Sequence, residues 1–95
     1  VGDTKDNLGT AVEGETFEVE EMYPAYYKEA KDQNEPEAER STYYALEAEK
    51  IHAQMYKEAE ESVGQEKDLN LDDIHICTVC GHTVEGQAPE ACPIC

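Results

Sequence analysis

From Leu8 onward, apolar side chains recur at three- and four-residue intervals through Val12, Val19, Met22, Tyr26 and Ala30. That period gathers them on one face of a helix, and Thr4 offers an N-cap ahead of them, so the pattern predicts a helix over about residues 5 to 32. Gly9, Gly14 and Pro24 weaken it. Pro24 has no N–H for the carbonyl of Glu20, and a bend is expected there. The run Asn34-Glu35-Pro36-Glu37 combines an N-cap candidate with a proline in the first turn, which starts a second helix over about residues 35 to 62. Gly64 suits a left-handed cap after it. With only Gln33 and Asn34 to join them, the two helices fold back as an antiparallel hairpin.

Beyond the hairpin the period disappears. Gln65 to Asp73 is polar and acidic with only Leu69 and Leu71 interspersed, and His75 to Cys95 is dense in Cys, Gly and Pro. The chain is therefore read as mainly α, with a helical hairpin over 1–66 and a turn-rich four-cysteine module over 67–95. So polar a linker offers little to dock with, and the module is expected to be tethered to the helices rather than packed on them.

Charge narrows the partners. In 95 residues there are 23 acidic and 7 basic side chains, for a net charge of −16, which excludes nucleic acid and anionic membrane surfaces. The absence of a long apolar run or a basic, apolar leader makes a soluble, cytoplasmic protein the expectation.

The helical period also divides the glutamates. Glu13, Glu20 and Glu21 project away from the apolar stripe of the first helix, but Glu15 falls within it and Glu18 lies at its edge. On the second helix Glu47, Lys50, Gln54 and Glu58 make a polar face, whereas Glu49 and His52 fall among Ala45, Ala48, Met55, Tyr56 and Ala59. Carboxylates buried without partners cost several kcal/mol or neutralise. A metal removes that conflict. Glu49-x-x-His52 sets a carboxylate and an imidazole one turn apart, the arrangement with which helix bundles build binuclear carboxylate sites, and oxygen ligands plus imidazole suit iron or manganese. A lone Glu-x-x-His arises by chance in any acidic helix, and an acidic pair three apart usually marks a solvated face; the force of the pattern is that all four residues fall on apolar faces of linked helices.

All four cysteines lie in Cys77-Thr78-Val79-Cys80 and Cys92-Pro93-Ile94-Cys95. Two such knuckles complete a tetrahedral tetrathiolate site for iron or zinc, and spacing does not distinguish the two metals. His75 is expected in solvent, and His82 within the knuckle loop rather than on the metal.

Glu13-Gly14-Glu15-Thr16-Phe17-Glu18, Met22-Tyr23-Pro24, Ala48-Glu49-Lys50-Ile51-His52 and the two knuckles stand in the order of one family. Over nearly its whole length the chain resembles the second half of a rubrerythrin. The resemblance implies half of a ferritin-like four-helix bundle followed by a rubredoxin-like module. It implies that Glu15, Glu18, Glu49 and His52 are ligands of a binuclear non-haem iron site, with Glu49 bridging, and that Tyr23 hydrogen-bonds a ligating carboxylate. Cys77, Cys80, Cys92 and Cys95 then hold iron, or zinc. Rubrerythrins reduce hydrogen peroxide to water with electrons from rubredoxin or an NAD(P)H-dependent reductase. The resemblance further implies a homodimer and a second helical hairpin, supplied by a missing N-terminal half or by another chain. The competing reading is a non-catalytic iron-binding or storage protein with a structural zinc ribbon.

Overall fold

The computed structural model describes all 95 residues, Val1–Cys95. Helix α1 spans Thr4–Phe17, a π-helical turn covers Glu18–Met22, and α2 continues over Tyr23–Asp32. Helix α3 spans Pro36–Gly64 and runs back against α1 and α2. Strands β1 (Ile74–Ile76) and β2 (Thr83–Glu85) form an antiparallel ribbon with Ile74 opposite Glu85 and Ile76 opposite Thr83.

Asp3, not Thr4, caps α1: its carboxylate accepts the amide of Asp6 at 2.9 Å. The expected disturbance at Pro24 is a π-turn. The amide of Tyr23 donates to the carbonyl of Glu18, five residues back, so the wider turn makes room for the proline ring without breaking the helix. One additional residue in a turn rotates everything beyond it by about 100°. Tyr26, expected in the apolar stripe, is accordingly 55% exposed, while Tyr27 is half-buried in its place.

Both helix ends use the same cap. Asn34 takes a left-handed φ of 55°, with Glu35 N–H on the Ala30 carbonyl and Asn34 N–H on that of Lys31. It closes α2, and α3 begins after Glu35, which makes no side-chain cap. At the far end Gly64 is still helical, contrary to expectation. Glu66 adopts the left-handed conformation (φ 58°), with Lys67 N–H on Ser62 and Glu66 N–H on Val63. A side chain in that conformation is strained by roughly 1 kcal/mol. Glu66→Gly should therefore stabilise the chain by about 0.5–1 kcal/mol in thermal or denaturant unfolding.

Burial is thin. Only Ala30, Ala48, Cys80 and Thr83 are buried, no large side chain is fully enclosed, and Phe17, Tyr43 and Tyr56 remain 52%, 37% and 38% exposed. A single layer of helices cannot cover its own apolar face. No helix is long and apolar enough to cross a membrane.

The four-cysteine module is packed against α3, not merely tethered. Leu69 and Leu71 of the linker, with Ile76 and Thr83, line a groove of about 350 Å³ shared with Leu8, His52, Met55 and Ala59. Gly81, at φ 82°, lies so close to α3 that an added Cβ would be 3.8 Å from Ala48 Cβ. The two leucines line that groove but stay 37% and 51% exposed, and the closest approach of the module to α3 is at Gly81.

Candidate metal centres

Glu15 is carried by the turn of α1 that precedes the π-turn, while Glu49 and His52 sit one turn apart on α3. One ligand atom of each falls within 4.8 Å of the others, and all three residues are half-buried. Glu13, Glu20 and Glu21 are exposed. The Oε2 atoms of Glu15 and Glu49 are buried without any hydrogen-bond partner. His52 Nδ1 lies 3.5 Å from Glu49 Oε2. Unpaired anionic oxygens converging on an imidazole nitrogen are costly unless a cation sits among them. The donor set thus fits a metal ion, with oxygen and nitrogen ligands of the kind that iron or manganese accepts.

Two of the expected site residues stand apart. Glu18 opens the π-turn, half-buried, but is not among the converging ligand atoms. Tyr23 packs edge-on against Tyr26, with ring centroids 6.1 Å apart, and makes no hydrogen bond to a carboxylate within the hairpin. The Tyr–Glu pair that does form is Tyr27 Oη on Glu39 at 3.5 Å, from the middle of α2 to the start of α3. Glu47, assigned to the polar face, is half-buried beside Lys50, 3.0 Å away.

The four thiols converge equally plainly. Cys77 Sγ lies 3.6 Å from Cys95 Sγ, and Cys80 Sγ lies 3.5 Å from Cys92 Sγ. These separations are far longer than the roughly 2 Å of a disulfide. They approach the ~3.8 Å edge of a tetrahedron with metal–sulfur bonds of about 2.3 Å. The first knuckle is held by Gly81 N–H on the Cys77 carbonyl at 2.9 Å, Cys77 N–H on the His82 carbonyl at 2.8 Å and His82 N–H on Cys80 Sγ at 3.4 Å. His75 is exposed and His82 half-buried in the loop.

Amide donors from Cys80 and Val79 lower the Cys77 thiol to about 6. The amides of Cys95 and Ile94 lower Cys92 likewise. Burial raises Cys80, and the neighbouring Cys92 and Cys77 push Cys95 up to about 12. A metal-free module at neutral pH therefore holds a mixture of thiolates and thiols. Filling it with a divalent ion should release protons, chiefly from Cys80 and Cys95, so affinity should fall with pH already across neutrality and more steeply below about 6, where Cys77 also takes up a proton. Metal titration with a pH indicator checks both expectations.

Fold and donor chemistry together define a two-site protein of the helical metal-binding class, able to hold a hard cation between α1 and α3 and a thiolate-bound one in its C-terminal knuckles. The family model described as Rubrerythrin matches residues 1–60, and that described as Rubrerythrin, rubredoxin-like domain matches residues 75–95. The chain belongs to the rubrerythrin family. Among curated relatives, Rubrerythrin-2 of Clostridium acetobutylicum is 49% identical over 90 residues, covering 95% of this chain and 49% of the relative. Nigerythrin of Nitratidesulfovibrio vulgaris is 34% identical over 89 residues, covering 94% of this chain and 43% of the relative. A solved structure of nigerythrin in its fully reduced, all-ferrous state superposes with a TM-score of 0.85 at 30% identity, covering 100% of this chain and 46% of that one. The chain thus spans about half the length of the relatives it matches.

Thr83 is the residue that sequence reasoning missed. Its hydroxyl reaches across from β2 to His52 Nε2 at 3.0 Å. A threonine in a three-residue strand carries no periodicity or motif that would have marked it.

Proposed function

We propose that the chain is the second half of a rubrerythrin-type peroxidase, which reduces hydrogen peroxide to water with electrons relayed through the four-cysteine centre. The observation that carries this reading is the unpaired, buried pair of carboxylate oxygens on Glu15 and Glu49 facing His52. It lies in a chain whose curated relatives are rubrerythrins and nigerythrin and whose structural match is an all-ferrous protein. The division into a hairpin over 1–66 and a metal module over 67–95 belongs to the same proposal.

Glu15, Glu49 and His52 hold the helical metal site, with Glu49 as the shared carboxylate, and Glu18 joins them by a side-chain rotation at the π-turn. Tyr23 hydrogen-bonds a carboxylate supplied from outside the hairpin. Iron held by these residues would supply the two electrons that, with two protons from solvent, convert peroxide to two waters. The residues of this chain hold the ions by oxygen and nitrogen ligands and place the thiolate module against the imidazole of His52. Cys77, Cys80, Cys92 and Cys95 hold the relay iron, which rubredoxin or an NAD(P)H-dependent reductase recharges. The exposed acidic surface favours a donor with a basic face.

The exposed Phe17, Tyr26 and Tyr56 and the small ligand set call for a second helical hairpin, from an identical chain or from the remainder of a longer protein. Metal at the helical site should accordingly appear only in an assembled form. Analytical ultracentrifugation with metal analysis tests this: two ions on a strictly monomeric hairpin would refute it. For the function itself, the test is peroxide consumption by the iron-loaded protein with a reduced rubredoxin-type donor. Iron uptake without donor-dependent peroxide consumption would favour the storage reading.

A further inference from the structure

We infer that Thr83 is a positioning residue of the helical metal site: from the C-terminal module it fixes the ring of His52 so that Nδ1, not Nε2, is presented to the metal. The inference rests on the metal-site reading above.

Thr83 is among the few buried residues of the chain, 4% exposed, and its hydroxyl has one proton to give. That proton goes to the carbonyl of Gly81 at 3.0 Å. Toward His52 Nε2, also at 3.0 Å, the hydroxyl oxygen is therefore an acceptor, and Nε2 must carry the hydrogen. In a neutral imidazole this leaves the lone pair on Nδ1, the nitrogen that faces Glu49 Oε2 at 3.5 Å. Outer partners of this kind orient a ligating histidine and raise its basicity. Gly81 belongs to the first knuckle, immediately after Cys80, and its amide is tied to the carbonyl of Cys77. The orientation of His52 thus depends on a folded four-cysteine module packed on α3, and the contact links the two sites within one chain.

The test compares Thr83→Val, which keeps the shape and removes the hydroxyl, with Thr83→Ser, which keeps the hydroxyl. The four-cysteine module is first filled with zinc. Proton–nitrogen NMR of the chain, without metal at the helical site, should show a His52 proton on Nε2 protected from exchange in the wild type and Thr83→Ser, and lost in Thr83→Val. Cobalt(II) titration of the assembled protein should give an affinity about 10- to 100-fold weaker in Thr83→Val, with Thr83→Ser close to wild type. Zinc content reports whether the module stays folded. If Thr83→Val loses zinc, Thr83→Ser decides, because it must keep both the proton and the affinity. A wild-type His52 protonated on Nδ1 would overturn the inference, as would a zinc-loaded Thr83→Val that retains protected proton and affinity. A wild-type protein with the Nε2 proton in place but no cobalt bound at the helical site would instead sink the metal-site reading.

Discussion

Replacing Glu49 with Ala should abolish metal binding at the helical site and leave the four-cysteine site filled. Glu49 is half-buried on α3, and its Oε2 is one of the two unpaired carboxylate oxygens that converge with His52. Removing an outer partner of a ligand already costs up to about 100-fold in affinity, and deleting one of the converging carboxylates should exceed that. The stability of the metal-free chain should move the other way. The substitution removes an uncompensated buried oxygen, so unfolding should cost the same or about 1 kcal/mol more. Glu13→Ala, at an exposed position of α1, should stay within about 0.5 kcal/mol and leave metal binding intact. Metal analysis and denaturant unfolding read both effects. Equal damage from the two substitutions would show that the helix faces are wrongly assigned.

Changing any one of Cys77, Cys80, Cys92 or Cys95 to Ser should strip the metal from the module and unfold it, while the helices persist. Cys80 and Thr83 are the only buried residues in that part of the chain, so no apolar core can hold it without the ion. Structural thiolate sites contribute on the order of 10 kcal/mol of folding energy, far more than so small a ribbon has in reserve. Helical circular dichroism should remain near wild type as the module's absorption disappears. Peroxide should still oxidise the helical site once, but repeated turnover with an NAD(P)H-linked donor should fail. Wild-type turnover in such a variant would make the module a structural zinc ribbon.

What the sequence disclosed depends on which signals are local. Glu15, Glu49 and His52 were legible because a 3.6-residue period places charged groups where apolar ones belong, and no structure is needed to see that conflict. The knuckles were legible because each pair of thiolates is set by its own tight turn. An unbroken period through Pro24 puts Tyr26 inward, whereas the π-turn shifts the register by one residue and brings Tyr27 inward. Gly64 stays helical for a related reason. A glycine is the cheapest left-handed residue, but the cap closes where the carbonyls of Ser62 and Val63 find their donors, and that puts Glu66 there. The docking of the module was hidden because its contacts with α3, Gly81 beside Ala48 and Thr83 on His52, join residues far apart in the chain. Thr83 acquires its meaning only from a neighbour 31 positions away.

The central claim is that the two sites exchange electrons on the way to peroxide. Anaerobically reduced, iron-loaded protein should have a bleached tetrathiolate absorption that returns when peroxide is added. The account predicts that this return is rapid in the wild type, equally rapid in Glu13→Ala and strongly slowed in Glu49→Ala, where the thiolate iron is present but the carboxylate–histidine site is not. Recovery at the wild-type rate in Glu49→Ala would contradict it, since peroxide would then oxidise the thiolate centre without passing through Glu15, Glu49 and His52.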